Sequence, residues 1–336
     1  MRVLVTGGAG FIGSNFIRLL LAEDPGVEIA NLDKLTYAGN LENLADVAAD
    51  PRYRFIRGDI CDRQAVARAI EGCQAVVNFA AETHVDRAIG DPASFLHTDI
   101  LGVYVLLEAA RQAGVKRFVQ VSTDEVYGPI AAGSAREDGP LNPTNPYSAS
   151  KAGGELLARS YFATYGFPVL ITRGANTFGP YQYPEKLMPL FVTNALEDQP
   201  LPVYGDGQQV REWIYVTDHC RAIALVLERG QPGEIYNIST GIGLPNLEVT
   251  RLILAAAGKP ETLIKHVKDR PGHDRRYSID SSKMRALGWR PERDFRAGLE
   301  ETVAWYRDHS GWWRKIKSGE FLEYYRRQYG DLAREP

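Results

Sequence analysis

Short apolar runs alternate with longer amphipathic stretches through the first half of this 336-residue chain. Such runs are typical of strands buried in a parallel sheet, and the stretches between them have helical periodicity. The pattern predicts strands at Arg2–Thr6, Glu28–Leu32, Arg54–Arg57, Ala75–Phe79, Arg117–Ser122 and Val169–Arg173. It therefore indicates an α/β protein of Rossmann type, with a doubly wound parallel sheet and helices on both faces.

The alternation ends after Arg173, where Pro-, Gly- and Tyr-rich segments follow. The chain is too long for one minimal domain, and it shows neither an internal repeat nor a low-complexity linker. We therefore expect a smaller second domain that is interleaved with the first. The expected division assigns 1–174 and about 209–241 to the domain of the parallel sheet, and 175–208 and 242–336 to the smaller domain.

Composition excludes several classes of partner. The net charge of −3 provides no basic field for nucleic acid. No uninterrupted apolar run approaches the ~20 residues of a membrane helix, and Met1 leads directly into a predicted strand, which leaves no room for a signal peptide. The three cysteines form no CxxC pair, and the six histidines show no metal-ligand spacing. We expect reduced thiols, no bound metal, no membrane partner and a cytoplasmic location.

A glycine-rich loop follows the first predicted strand at once. It places Gly7, Gly10 and Gly13 before an apolar-periodic helix that continues through Leu21. Gly7 allows a tight turn, Gly10 lets the backbone approach a pyrophosphate, and Gly13 lets the helix pack closely against the strand. Phosphates would then lie at the helix N-terminus. Strand, glycine turn and helix together predict a dinucleotide-binding site with GxxGxxG spacing.

Asp33 directly follows the second predicted strand, twenty residues after Gly13. A carboxylate at this position accepts hydrogen bonds from ribose hydroxyls and repels a 2′-phosphate. The position therefore favours NAD over NADP as the cofactor. Lys34 weakens this argument from charge, because its ammonium lies next to the carboxylate in sequence.

Tyr147 and Lys151 have the YxxxK spacing of short-chain dehydrogenases. Asn145 and Pro146 predict a helix start just before them, which places both side chains on one helix face. A phenol has a pKa of about 10, and a nearby ammonium and the nicotinamide charge would lower it toward that of a base. Thr123, at the end of the fifth predicted strand, is placed to hydrogen-bond the reacting oxygen. The alternative is a chance pattern on an exposed helix.

Asp124 and Glu125 follow Thr123 directly. A simple dehydrogenase has no use for two further acids, but an elimination needs an acid and a base with separated pKa values. Once C4 of a hexose is a ketone, its C5 proton is acidic. Glu125 could remove that proton while Asp124 protonates the departing C6 hydroxyl. The alternative is a pair of solvated loop acids.

Six segments carry a resemblance to a known family: Thr6–Gly13, Asp33–Asn40, Ala80–Arg87, Ser122–Gly128, Gly179–Leu187 and Asp269–Asp274. Over nearly its whole length the chain resembles the extended short-chain dehydrogenases, and within them the dTDP-glucose 4,6-dehydratases. The Thr-Asp-Glu and Asp-Arg-Pro-Gly-His sequences are fairly specific to the dehydratases. The resemblance implies NAD as cofactor, dTDP-glucose as the sugar-nucleotide substrate, and a homodimer.

The resemblance also implies two sets of binding residues. Those implied for NAD are Gly7, Gly10, Phe11, Ile12, Gly13, Asp33, Lys34, Leu35, Thr36, Asp59, Ile60, Phe79, Ala80, Ala81, Thr98, Tyr147, Lys151 and Thr177. Those implied for the sugar nucleotide are Thr83, Asn176, Glu185, Lys186, Leu187, Pro202, Tyr204, Arg211, Asn246, Arg270 and His273.

The guanidinium groups of Arg211 and Arg270 suit a diphosphate, because each offers a bidentate fork. The alternative is that both are surface residues that add solubility. Glu185 and His84 could also have a structural or supporting role.

Three positions depart from the family pattern. Thr83 stands where the family usually has Ser, which keeps the hydroxyl. The family sequence Asn-Asn-Tyr-Gly-Pro is replaced by Asn176–Pro180, in which Thr177 takes the place of an asparagine expected near the nicotinamide. In the same segment Phe178 lacks the phenol of the usual tyrosine.

These observations predict dehydration of dTDP-glucose to the 4-keto-6-deoxy sugar, catalysed by Thr123, Asp124, Glu125, Tyr147 and Lys151. C4 is oxidised, water is lost across C5–C6, and the hydride returns to C6, so NAD is recycled. The alternatives are a UDP-sugar 4,6-dehydratase and a 4-epimerase of nucleoside-diphosphate sugars, which needs no acid pair. A non-catalytic dinucleotide sensor is a further alternative, but it would not need the redox residues.

Overall fold

The computed structural model describes residues 1–330, except for the side chain of residue 320. Its strands are β1 (Arg2–Thr6), β2 (Glu28–Asp33), β3 (Tyr53–Arg57), β4 (Ala75–Asn78), β5 (Arg117–Thr123), β6 (Val169–Gly174), β7 (Asn176–Phe178), β8 (Leu201–Tyr204), β9 (Val210–Tyr215), β10 (Ile235–Ile238), β11 (Gly243–Pro245) and β12 (Ile264–Val267).

Its helices are α1 (Phe11–Glu23), α2 (Arg63–Ile70), α3 (Val85–Gly90), α4 (Pro92–Leu96), α5 (Val103–Gln112), α6 (Pro146–Tyr165), α7 (Leu187–Leu196), α8 (Val216–Arg229), α9 (Asn246–Ala257), α10 (Ser282–Ala286), α11 (Phe295–Asp308), α12 (Ser310–Ile316) and α13 (Glu320–Tyr329). Single 3-10 turns span Leu41–Leu44, Asp124–Tyr127 and Glu261–Leu263, and a π-helical turn spans His97–Gly102.

The main sheet has seven parallel strands in the order β10-β6-β5-β4-β1-β2-β3. Helices α1 and α8 pack together on one face, and α2, α5 and α6 pack on the other. Each face buries its own apolar cluster, as expected when both sides of a parallel sheet are covered. The predicted Rossmann-type α/β fold is confirmed.

The six predicted strands all form, with ends that differ by one residue. β5 continues to Thr123 and β6 to Gly174, because these two residues pair in the ladder. The predicted helix start is also correct. The Asn145 side chain accepts a hydrogen bond from the Ser148 backbone at 3.0 Å in a capping box, and α6 begins at Pro146.

The remaining strands form two small sheets around a third apolar cluster. One sheet has the order β11-β9-β7, and the other pairs β12 with β8. The segment 209–241 contributes to both parts of the molecule, since β9 joins a small sheet whereas β10 extends the main sheet beside β6. The division of the chain into domains stays a prediction, and its last residues, 331–336, lie outside the described part.

One helical stretch, Pro92–Gln112, is long and apolar enough to cross a membrane by length and composition. Part of it is α5, which packs against α2 and α6 and buries Val103, Leu106 and Leu107. A core helix of a globular protein passes the same test, so this stretch is weak support for a membrane span.

Candidate active site

A cavity of about 400 Å³ lies between the carboxyl ends of the main-sheet strands and the smaller sheets. Every residue that the sequence predicts for catalysis, cofactor binding or substrate binding lines this cavity, with the exception of Leu35. Leu35 has a positive φ of 59°, and its N–H donates to Asp33 instead. The predicted residues thus form one composite site, whereas the role of each residue stays a prediction.

The glycine loop forms a tight cradle at the start of α1. Gly7 has a φ of 68°, and a Cβ there would lie 2.6 Å from the Ala80 nitrogen. Gly10 begins α1 without a side-chain cap, so the N–H groups of the first turn are not satisfied by a capping side chain. A close backbone and available N–H groups fit the pyrophosphate of a dinucleotide.

Asp33, at the carboxyl end of β2, is buried and held by two backbone groups. Its Oδ2 accepts from the Ala9 N–H at 2.9 Å and its Oδ1 from the Leu35 N–H at 2.8 Å. Lys34 points to Asp59, where its Nζ lies 2.7 Å from Oδ2. The Lys34 ammonium is thus paired with another carboxylate, which removes the objection that it would offset the charge of Asp33.

Tyr147 and Lys151 lie one turn apart on α6 and both line the cavity, although both side chains are largely buried. Lys151 Nζ donates to the Val121 carbonyl at 2.9 Å, and burial lowers the pKa of this ammonium. Burial raises the pKa of Tyr147 well above its usual value, and a hydrogen bond with Thr123 opposes the rise. The sequence predicts that the Lys151 ammonium lowers the pKa of Tyr147. In the protein alone the effect of burial is larger, and the pKa of Tyr147 is raised.

The Asp124 carboxyl is 2% exposed, at the start of the 3-10 turn that follows β5. Its Oδ1 accepts from Thr123 Oγ1 at 3.2 Å, and its Oδ2 has no hydrogen-bond partner among the described residues. Burial, together with the charges of Glu125 and Glu212, raises the pKa of Asp124 well above its usual value. These surroundings favour the protonated form of Asp124 and differ from those of a solvated loop carboxylate.

Glu125 is half-buried, and its surroundings differ from those of Asp124. Its backbone N–H donates to Thr123 Oγ1 at 3.3 Å, and Tyr277 approaches its Oε2 at 3.5 Å. Two adjacent carboxyl groups in such different environments can serve as acid and base in one reaction.

Of the two arginines predicted for a diphosphate, Arg211 is buried and Arg270 is half-buried, which argues against the alternative of exposed residues that add solubility. Arg211 is 5% exposed, lies over the Tyr277 ring, and donates to the Asp274 carbonyl at 2.9 Å. Arg270 donates to Asp86 Oδ1 at 2.9 Å, and its Nε is buried without a partner in the described chain. Two guanidinium groups that line one cavity are suited to a dianionic ligand.

Glu185 lines the cavity, but its carboxylate is already engaged. Oε2 accepts from Arg87 Nε at 2.7 Å, and Oε1 accepts from the Tyr37 hydroxyl at 2.8 Å. The His84 ring lies 3.3 Å from the Glu185 carbonyl, and burial lowers its pKa to about 4. Both side chains are therefore engaged in contacts within the wall of the cavity, and the substrate contact of Glu185 stays a prediction.

The Thr177 and Phe178 departures have different consequences. Thr177 lines the cavity, donates to the Ala175 carbonyl at 3.2 Å, and lies 2.8 Å from His219 Nδ1. Phe178 instead packs its ring against Trp213 and other aromatic side chains, and it is 1% exposed. The missing phenol at 178 thus changes aromatic packing rather than the cavity wall.

Several cavity residues were not predicted from the sequence, and three of them contact predicted site residues. Asp86 pairs with Arg270, Tyr277 lies beside Glu125, and His219 contacts Thr177. Asp86 lies within a segment of the resemblance and could have been found there, whereas Tyr277 and His219 belong to no recognised motif. Within residues 1–330, no three His, Cys, Asp or Glu side chains are grouped in a way that could hold a metal ion.

Comparisons with known proteins agree on one family. The family model described as GDP-mannose 4,6 dehydratase matches residues 4–302. A dTDP-glucose 4,6-dehydratase of Streptomyces niveus is 53% identical over 323 residues, which cover 95% of this chain and 96% of that protein.

Solved structures give the same result. The crystal structure of DesIV, a dTDP-glucose 4,6-dehydratase from Streptomyces venezuelae with NAD and TYD bound, superposes with a TM-score of 0.93 at 55% identity, covering 94% of this chain and 100% of that one. A UDP-glucose 4-epimerase of Thermus thermophilus is more distant, with a TM-score of 0.85 and 37% identity, covering 91% and 99% of the two chains. This chain therefore belongs to the dTDP-glucose 4,6-dehydratase family within the short-chain dehydrogenases.

Proposed function

We propose that the protein is an NAD-dependent dTDP-glucose 4,6-dehydratase that forms dTDP-4-keto-6-deoxyglucose. One observation carries this assignment: the Asp124 and Glu125 carboxyl groups lie in the same cavity as the redox residues Thr123, Tyr147 and Lys151. A 4-epimerase requires the redox residues alone. The resemblance to dehydratases at more than half of all positions supports the same reaction.

We assign each step of the reaction to particular residues of this chain. Tyr147 accepts the proton of O4, and Thr123 hydrogen-bonds the same oxygen. Glu125 then removes the C5 proton, while the neutral Asp124 carboxyl gives its proton to the departing C6 hydroxyl. When NAD is bound, it supplies the acceptor for the C4 hydride and later the donor for C6.

The cavity fits this cofactor. The Gly7 turn leaves no room for a side chain, and the first turn of α1 offers N–H groups to phosphates. Asp33 faces the position expected for the adenosine ribose, where its carboxylate disfavours a 2′-phosphate. Burial raises the pKa of Tyr147, and the positive charge of a bound nicotinamide would lower it toward that of a base.

Tyr204 and Arg270, from the smaller part of the chain, line the cavity together with Arg211, from the segment 209–241, and we assign all three to substrate binding. We assign 1–174 and about 209–241 to the cofactor domain, and 175–208 and 242–336 to the sugar-nucleotide domain. We further propose a cytoplasmic homodimer. The homodimer is supported by three exposed leucines on the adjoining elements α4, the π-helical turn and α6, namely Leu96, Leu101 and Leu156.

The function is tested by incubating the purified protein with dTDP-glucose and measuring the alkali-dependent absorbance of a 4-ketose. A dehydratase gives this signal without accumulating NADH and without NAD beyond what purifies with the protein. An epimerase would give dTDP-galactose and no 4-ketose, and a dinucleotide sensor would leave the substrate unchanged. A parallel reaction with UDP-glucose measures the preference for thymine over uracil. The two differ by one methyl group, which contributes ~1–3 kcal/mol to discrimination between the substrates.

A further inference from the structure

The proposed reaction requires that the cofactor stays bound between its two hydride transfers. The hydride that leaves C4 must return to C6 of the same sugar, so loss of NADH between these steps would stop the reaction. Residues 34–40 form a loop between β2 and the 3-10 turn at Leu41–Leu44. The cavity lining includes four residues of this loop, namely Lys34, Thr36, Ala38 and Gly39. The loop therefore belongs to the wall beside the predicted cofactor site.

Both ends of the 34–40 loop are attached to segments that are predicted to bind NAD. At its start, Lys34 Nζ lies 2.7 Å from Asp59 Oδ2. At its end, the Asn40 N–H donates to the carbonyl of Ala9 in the glycine loop at 3.0 Å. The Asn43 side chain donates to the same carbonyl at 2.9 Å. The ends of the loop are thus held by the predicted cofactor site itself.

Tyr37, in the middle of the loop, contacts two other segments of the chain. Its hydroxyl donates to Glu185 Oε1 at 2.8 Å and lies 3.2 Å from the Thr83 carbonyl. The Arg87 guanidinium lies over the Tyr37 ring, 3.7 Å from its centroid, and its Nε is 2.7 Å from Glu185 Oε2. Burial and the charge of Glu185 raise the pKa of Tyr37 well above its usual value, so the phenol keeps its proton and stays a donor. The middle of the loop is thus joined to the segments that hold Thr83 and Glu185.

We propose that Tyr37 is a positioning residue that holds the 34–40 loop in place and thereby slows the exchange of bound NAD, an inference that rests on the proposed function. Moving the loop requires that Tyr37 gives up its hydrogen bond to Glu185 and its contact with Arg87, and hydrogen bonds to charged groups are among the stronger ones. These contacts join protein groups to one another, so they hold the loop whether or not NAD is bound. Tyr37 should therefore slow the entry and the release of NAD by similar factors and leave the affinity nearly unchanged.

The test measures the release of the cofactor and its affinity separately. Parent protein and Tyr37→Phe are loaded with isotopically labelled NAD, and the loss of label is followed by filtration after unlabelled NAD is added in excess. Dissociation constants are measured by calorimetric titration with NAD. Tyr37→Phe keeps the ring beneath Arg87 but loses the hydroxyl, and its label should leave ~10–100-fold faster, because one hydrogen bond to a charged group is lost. Its dissociation constant should change by a much smaller factor.

Tyr161→Phe is a matched control, because the Tyr161 hydroxyl also donates to a carboxylate, Glu108 Oε1 at 2.7 Å, but Tyr161 lies outside the cavity lining. This control should release labelled NAD at the parental rate. Release from Tyr37→Phe at the parental rate would overturn the proposal. An equal rise in the release rate and the dissociation constant would also overturn it, since Tyr37 would then stabilise the bound state alone. Parent enzyme that forms no 4-ketose would instead contradict the proposed function, and the measurement of NAD release does not depend on that result.

Discussion

Replacing Asp124 by Asn should separate oxidation from elimination. The amide has the same shape as the carboxyl, and its oxygen can still accept the hydrogen bond from Thr123 Oγ1. It cannot give a proton to a leaving hydroxyl. The second carboxyl oxygen of Asp124 has no partner in the described chain, so the amide nitrogen breaks no existing contact.

The magnitude follows from the loss of one general acid. Such a loss typically slows a reaction ~10²–10⁴-fold, which corresponds to about 2.7–5.5 kcal/mol of barrier. Hydride removal from C4 depends on Tyr147, Thr123 and Lys151, which are unchanged. In a single turnover the variant should therefore accumulate NADH and form little 4-keto-6-deoxy product. Tyr147→Phe should instead abolish the NADH signal, because the O4 proton then has no acceptor.

NADH is followed by its near-ultraviolet absorbance, and product by the alkali-dependent absorbance of the 4-ketose. Asp218→Asn is a control, because Asp218 is also buried but lies outside the cavity lining. Its Oδ2 accepts from the Arg293 N–H at 2.9 Å, and its Oδ1 lies 3.7 Å from Arg221 Nη1. The control should dehydrate at close to the parental rate. Dehydration by Asp124→Asn at the parental rate would show that Asp124 is not the acid.

Three further predictions concern stability and cofactor choice. Because burial raises the pKa of Asp124, the folded state keeps a proton that the unfolded chain loses above about pH 4. The stability of the parent protein should therefore fall as the pH rises from about 4 to the pKa of Asp124 in the folded state. Asp124→Asn should need more urea than the parent to unfold at neutral pH, and this difference in stability should vanish below about pH 4. Calorimetric titration should show that NAD binds at least tenfold more tightly than NADP, a difference of about 1.4 kcal/mol. Asp33→Asn should reduce this ratio of affinities. Equal affinities of the parent protein for NAD and NADP would contradict the role of this carboxylate. Glu155→Gln should cost about 3–5 kcal/mol in urea unfolding, because the fully buried Arg173 loses its partner. Glu28→Gln, in an exposed ion pair with Arg2, should cost less than about 1 kcal/mol, and equal losses would contradict the argument from burial.

Much of the fold could be predicted because its signals are local. The six apolar runs became strands of the main sheet. Five of them are buried on both faces, and β3 forms the edge of the sheet with half-buried and exposed residues. The glycine turn needs a residue such as Gly7 at positive φ, and Asn145 caps α6 through its own side chain. The resemblance then placed the substrate residues, which follow no period and could not be found from local pattern alone.

The tertiary structure decided the state of the chemical groups. The sequence shows only that residue 124 has a carboxyl group, whereas the packing removes water from Asp124 and places Glu125 and Glu212 nearby, which raises its pKa. Arg211 is buried rather than exposed for the same reason, and Lys34 is directed to Asp59 by the turn that follows β2. The sequence by itself determined which elements form and which residue types are available. Only the packing of segments distant in the chain determined the charge, burial and partners of each group, because these depend on what surrounds a side chain in space.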